Sequence, residues 1–136
     1  MFTLYTDAAT DTETQLCAAG ILIVHAGQQT QLKQALADGD NHHAEFLAAI
    51  AGFNALLKTA GTQAASSTVL FYTDSKIVAD SLDKHYAKHY QPLVDQLLDC
   101  QSRFALVISK WVPEKQNQGA HHLAQQALQQ HRQGRL

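Results

Sequence analysis

The chain has 136 residues, of which 46% are hydrophobic, and a formal net charge of −2. That length suits one domain, residues 1–136, able to bury about two-thirds of its unfolded surface without disulfide support. The charge balance excludes a globally basic nucleic-acid or membrane-surface protein and leaves only local basic patches for such roles.

Phe2 to Asp7 reads as a strand closing on Leu4-Tyr5-Thr6-Asp7. Ala18 to His25 is a second strand, almost wholly apolar, whose Gly20 invites another backbone to come close. Ala26-Gly27-Gln28 is a hairpin turn, and Gln29 to Leu36, the most polar strand, is placed at an edge. After the turn residues Ala37 to Asn41, a helix is expected over His43 to Thr59, preceded by Asn41 or His42. Phe46, Ile50, Phe53 and Leu57 form its apolar stripe, beside a smooth strip of Ala48, Ala49 and Gly52 suited to close packing on a sheet. Glu45 lies on that strip, one turn before Ala48 and Ala49, so its carboxylate is expected to face the sheet and not water. Gly61 to Ser67 reads as a loop, and Thr68 to Asp74 as a strand that again ends in Thr-Asp. A strand, a helix and a strand make a crossover unit, which sets Asp7 and Asp74 at one edge of parallel neighbours. Helices follow at Ser75 to Tyr86 and Pro92 to Arg103, then a fifth strand, Phe104 to Trp111, and a last helix, Asn117 to His131. The resulting fold class is α/β: a five-stranded mixed sheet, three antiparallel strands and then parallel ones, flanked by helices on both faces.

Cys17 and Cys100 sit in apolar segments without metal-type spacing, which points to buried free thiols and a reducing compartment. No signal-like opening and no apolar stretch near 20 residues is present, so a cytoplasmic chain without a membrane partner is expected. A monomer is the expected state.

Carboxylates gathered at one sheet edge repel one another and are costly to desolvate, so they persist together mainly when a divalent cation neutralises them. Oxygen-only ligands favour Mg²⁺ or Mn²⁺ over zinc. Two such ions suit in-line hydrolysis of a phosphodiester.

Four ordered motifs carry a resemblance. Tyr5-Thr6-Asp7-Ala8-Ala9, Asn41-His42-His43-Ala44-Glu45-Phe46-Leu47-Ala48, Phe71-Tyr72-Thr73-Asp74-Ser75, and Lys110-Trp111-Val112-Pro113 followed by Asn117-Gln118-Gly119-Ala120-His121-His122-Leu123-Ala124 resemble the type 1 ribonuclease H family across nearly the whole chain. The resemblance implies a ribonuclease H-like fold and an endonuclease that cuts the RNA strand of an RNA/DNA hybrid with two Mg²⁺ or Mn²⁺ ions held by Asp7, Glu45 and Asp74. It also sets Asn41 and His42 at the hybrid's minor groove, where the 2′-hydroxyl is recognised, and Ala8, Ala9 and Ser75 beside the substrate. The family's fourth carboxylate position is His121 here, which makes it a candidate ligand or catalytic group; imidazole suits Mn²⁺ better than Mg²⁺. The loop Glu114-Lys115-Gln116 lacks the His that many bacterial members carry. The Tyr86 to Gln91 region has only Lys84, Lys88 and flanking His where many have a basic protrusion, so weaker, salt-sensitive binding is expected.

Plainer roles stand beside these. An isolated Asp more often ends a strand as a turn or cap residue, and Glu45 alone reads as a first-turn acid favoured by the helix dipole. Asn41 and Ser75 are good caps, His42 and His43 ordinary helix-start residues, Trp111 a core residue, and His122 a solvent-facing one. A catalytically weak or inactive binding module on the same fold is the first alternative, and an exonuclease or junction resolvase the second.

Overall fold

The computed structural model describes residues 1–136. Five strands form one sheet in the order β3-β2-β1-β4-β5, where β1 is Phe2–Thr10, β2 Cys17–His25, β3 Gln28–Leu36, β4 Thr68–Thr73 and β5 Leu106–Trp111. β1, β2 and β3 pair antiparallel; β4 pairs parallel with β1, and β5 parallel with β4. The helices are α1 Asn41–Ala60, α2 Lys76–Lys84, α3 Gln91–Gln101 and α4 Gln118–Arg132.

β2 is apolar from Cys17 to Val24 because both its faces are covered. Ile21 and Ile23 join the main core with Phe46 and Phe53 of α1, whereas Ala18 packs with Ala9, Ala124 and Leu128 in a seam under α4. A Cβ on Gly20 would overlap the Ala120 carbonyl oxygen and the Ala124 amide of α4, so that helix sits on β2 only because residue 20 has no side chain. On the other face, Gly52 of α1 similarly makes room for the Thr6 methyl. The expected close approaches at both glycines are therefore present. Phe53 meets Phe71 edge-on at 5.0 Å between ring centroids, and such a buried ring contributes about 1.5–3 kcal/mol through removal from water.

Several expectations shift. β1 does not stop at Asp7: its pairing with β4 ends at Thr6↔Thr73, but it stays paired to β2 as far as Thr10. The cap of α1 is Asp40, whose carboxylate accepts from the His43 amide at 2.8 Å, and Asn41 is the first helical residue. Leu56 is the fully buried leucine of α1, with Leu57 only half-buried. Residues Gly61–Ser66 form a 3₁₀ turn, not an irregular loop. Pro92 is the second residue of α3, and β5 begins at Leu106, leaving Phe104 in the core as a connecting residue. Trp111 is 45% exposed, not core, because β5 is the last strand of the sheet and nothing packs beyond it. Both cysteines are buried and free, and no helix is long and apolar enough to cross a membrane.

Candidate active site

Three elements deliver the carboxylates. Asp7 leaves the β1–β4 ladder where β4 ends, Asp74 follows the last paired residue of β4, and Glu45 projects from the second turn of α1 toward the sheet. One ligand oxygen from each lies within 4.8 Å of the others. Glu45 is fixed by the Ala8 amide, which donates to its Oε1 at 2.8 Å. The inward aim expected from the smooth strip of α1 is thus realised, and the first-turn dipole role is not: α1 has no acid in its first turn.

The cluster is electrostatically costly. Burial, reinforced by the Asp74 charge, pushes the Asp7 carboxyl up from 3.8 to about 7. Burial and then the charges of Asp7 and Asp74 raise Glu45 from 4.5 to about 9, and burial raises Asp74 as well. Oxygen-only donors that resist ionisation unless a positive charge joins them match the chemistry of a hard divalent cation. A cation seated there would also offset the carboxylate repulsion that adds to burial in lifting Asp7 and Glu45.

His121, in the first turn of α4, places Nδ1 3.0 Å from Asp7 Oδ2 and 3.2 Å from Glu114 Oε1. With Asp7 ionised, the ring N–H donates to its Oδ2, and Glu114 Oε1 lies at ion-pair distance from the same nitrogen. His121 is therefore a neighbour of the cluster, though it is not one of the three residues whose oxygens converge.

The acids open into a cleft of about 400 Å³ that Ala8, Asn41, His42, Ser75 and His121 also line. Ser75 in addition caps α2, its Oγ accepting from the Val78 amide at 3.3 Å. Ala9 lies elsewhere, 4% exposed in the seam under α4. His122 points to solvent. Three further residues line the cleft that sequence reasoning did not assign to it: Lys76, Ile77 and Glu114. Glu114 is the acid of the turn Glu114–Gln116 that joins β5 to α4, and its position just before the Asn117 motif was the available signal. Asn117 is 1% exposed and donates from Nδ2 to the Thr6 carbonyl at 2.9 Å, tying this crossing segment to β1. The Trp111 indole N–H donates to the Asp74 carbonyl at 3.0 Å. Lys76 lies over the same indole ring, 5.6 Å from its centroid.

Residues 5–127 match the family model described as reverse transcriptase-like. The protein named "Putative hydrolase EbsB" from Enterococcus faecalis is 37% identical over 131 residues, covering 95% of each chain. The N-terminal RNase H domain of Rv2228c from Mycobacterium tuberculosis superimposes with a TM-score of 0.82 at 24% identity, over 99% of this chain and 98% of that one. RNase H1 from Halobacterium salinarum gives 0.81 at 21% identity, covering 94% and 97%. LC11-RNase H1, solved in complex with RNA/DNA hybrid, gives 0.84 at 15% identity, covering 96% and 98%. The five-stranded mixed sheet and its flanking helices agree with these matches. The chain accordingly has a ribonuclease H-like fold and belongs to the reverse transcriptase-like family.

Proposed function

We propose that this protein is a divalent-cation-dependent endonuclease that hydrolyses the RNA strand of RNA/DNA hybrids. The observation that carries the reading is the convergence of the Asp7, Glu45 and Asp74 oxygens within 4.8 Å at an open cleft. A hydrolase name on a relative 37% identical and a fold neighbour solved with an RNA/DNA hybrid support it. Asp7, Glu45 and Asp74 would hold two Mg²⁺ or Mn²⁺ ions. When bound, such ions supply Lewis-acid activation of water and neutralise charge on the phosphate and the leaving oxygen.

The chain's own residues do the rest. Ala8 holds Glu45 through its amide, so the helix carboxylate cannot swing out of the cleft. His121 orients Asp7 by engaging Oδ2. Asn41 and His42, at the start of α1, offer polar edges on the rim where a 2′-hydroxyl would lie. Lys76 adds a positive charge at that rim. The six residues between α2 and α3 include one lysine, Lys88, so this chain presents less basic surface there than a basic protrusion would.

The test is cleavage of an end-labelled RNA/DNA hybrid across Mg²⁺ and Mn²⁺ concentrations, with double-stranded RNA and single strands as competitors. Internal cuts confined to the RNA strand, dependent on the cation, are the expected result. Hybrid binding without cleavage under every condition would instead identify the weak or inactive module, a reading that His121 at the fourth position favours. Cleavage of duplex DNA or of free ends in preference to hybrid would contradict the assignment.

A further inference from the structure

β3 is the outer strand of the sheet, nine residues long, without proline, and paired to β2 at every residue. The two-residue turn at Ala26 and Gly27 makes His25 and Gln28 a pair that exchanges backbone hydrogen bonds. By antiparallel alternation, Gln29, Gln31, Lys33 and Ala35 then turn their N–H and C=O groups outward to an open edge. Natural edges of this length are normally blunted by bulges, proline or several charges. Here the strand carries one charge, Lys33.

Beside that edge runs a groove between β3 and α1. One stretch is a cleft of about 500 Å³ that includes Leu32, Ala55 and Lys58. The next, about 220 Å³, includes Leu36, Leu47 and Ile50. The two share Gln34, Ala51 and Asn54, so they form one channel. No carboxylate lines either stretch, and the two charged residues that do are Lys33 and Lys58. Register separates the two faces of the strand. Leu32 and Thr30 oppose Ile21 and Ile23 on the α1 side, whereas Lys33 opposes Gly20 on the α4 side.

We propose that this edge and groove bind an extended acidic peptide segment of a partner protein by strand addition. The outward backbone groups of β3 supply the ladder. Apolar side chains of the added strand fill the groove against Leu32, Ala51 and Ala55. Acidic side chains at alternate positions meet Lys33 on the opposite face, and a further acid at the end of the segment meets Lys58. A peptide fits better than a second copy of this chain, whose corresponding edge offers no carboxylate to answer the two lysines. The groove is lined by different residues from those of the carboxylate cleft, so binding here brings a partner to the protein without covering the candidate active site.

The probe is a fluorescein-labelled peptide of alternating aspartate and isoleucine, with an alternating lysine and isoleucine peptide as control. Binding is read by anisotropy and mapped by amide chemical shifts of the full chain. Binding of the acidic peptide with a Kd of about 1–100 μM is expected, with shifts confined to residues 29–36 and 47–59. Lys33→Glu with Lys58→Glu should weaken it at least about tenfold. Both lysines are exposed, so the variant keeps the fold, which its own amide spectrum verifies. No binding at about 1 mM peptide, equal binding of the lysine peptide, shifts centred on Asp7 and Asp74, or displacement by RNA/DNA hybrid would each overturn the proposal. So would sedimentation equilibrium showing that two copies pair through this edge.

Discussion

Phe2 and Leu4, in the first half of β1, are 2% and 0% exposed, and Asp7, in the second half of the same strand, is 5% exposed. Equal burial has opposite consequences. Under the first pair lies a cluster containing Phe46, Phe53 and Phe71, where each ring removed from water stabilises the fold. Around Asp7 lie Glu45 and Asp74, where each ionised group removed from water destabilises it. The contrast teaches that a strand can carry a carboxylate against its own interest when the rest of the sheet over-determines its path. Here the over-determination comes from pairing with β2 through Thr10 and from α4 seated on Gly20.

The sharpest way to break the comparison is to neutralise its costly half. Asp7→Asn should reduce cation-dependent hybrid cleavage by at least about 10³-fold, yet raise the melting temperature of the cation-free protein. A variant that cuts normally would remove Asp7 from the catalytic set. The converse substitution, Phe53→Ala, should destabilise by about 3–5 kcal/mol in urea unfolding through the cavity it leaves. A loss below about 1 kcal/mol would mean that the phenylalanine cluster is not what holds the site's scaffold.

A pH titration addresses the costly half without mutation. Asp7, Glu45 and Asp74 all titrate higher in the folded protein than in the unfolded chain. The native state therefore keeps protons that the unfolded chain has already released. Stability of the cation-free protein should fall as pH rises from the ordinary values of 3.8 and 4.5 toward about 7 for Asp7 and about 9 for Glu45. Thermal melts in EDTA should give a lower midpoint at pH 8 than at pH 5, and Mn²⁺ should restore much of the loss. A midpoint that rises steadily over this window would contradict the assigned shifts. The smallest effect belongs to the helix start that presents Glu45: Asp40→Ala, which removes the cap on His43, should cost about 1 kcal/mol.

Features written in local chemistry were legible from the sequence. The alanine and glycine strip of α1 told where Glu45 points, Gly20 told where a helix backbone lands, and Ser75 told where α2 begins. What depended on distant neighbours was not legible. Ala8 and Ala9 have little strand preference of their own, and they carry β1 on to Thr10 because β2 supplies partners for them. Trp111 reads as core by composition, but its exposure is set by the absence of a sixth strand beside β5. Asp40 and Asn41 are equally good caps, and one residue of register decided between them. Glu114 reaches the cleft only because the segment after β5 crosses back over β1, where Asn117 anchors it to the Thr6 carbonyl.

The claim on which the functional reading rests is that Asp7, Glu45 and Asp74 act together as a receptor for divalent cations. Calorimetric titration of Mn²⁺ at pH 7, repeated in two buffers of different ionisation enthalpy, tests it most directly. Saturable binding with release of protons is expected, because Glu45 and part of the Asp7 population must ionise to accept the cation. Asp7→Asn should weaken that binding. Absence of saturable binding at millimolar Mn²⁺, or binding that Asp7→Asn leaves unchanged, would contradict it.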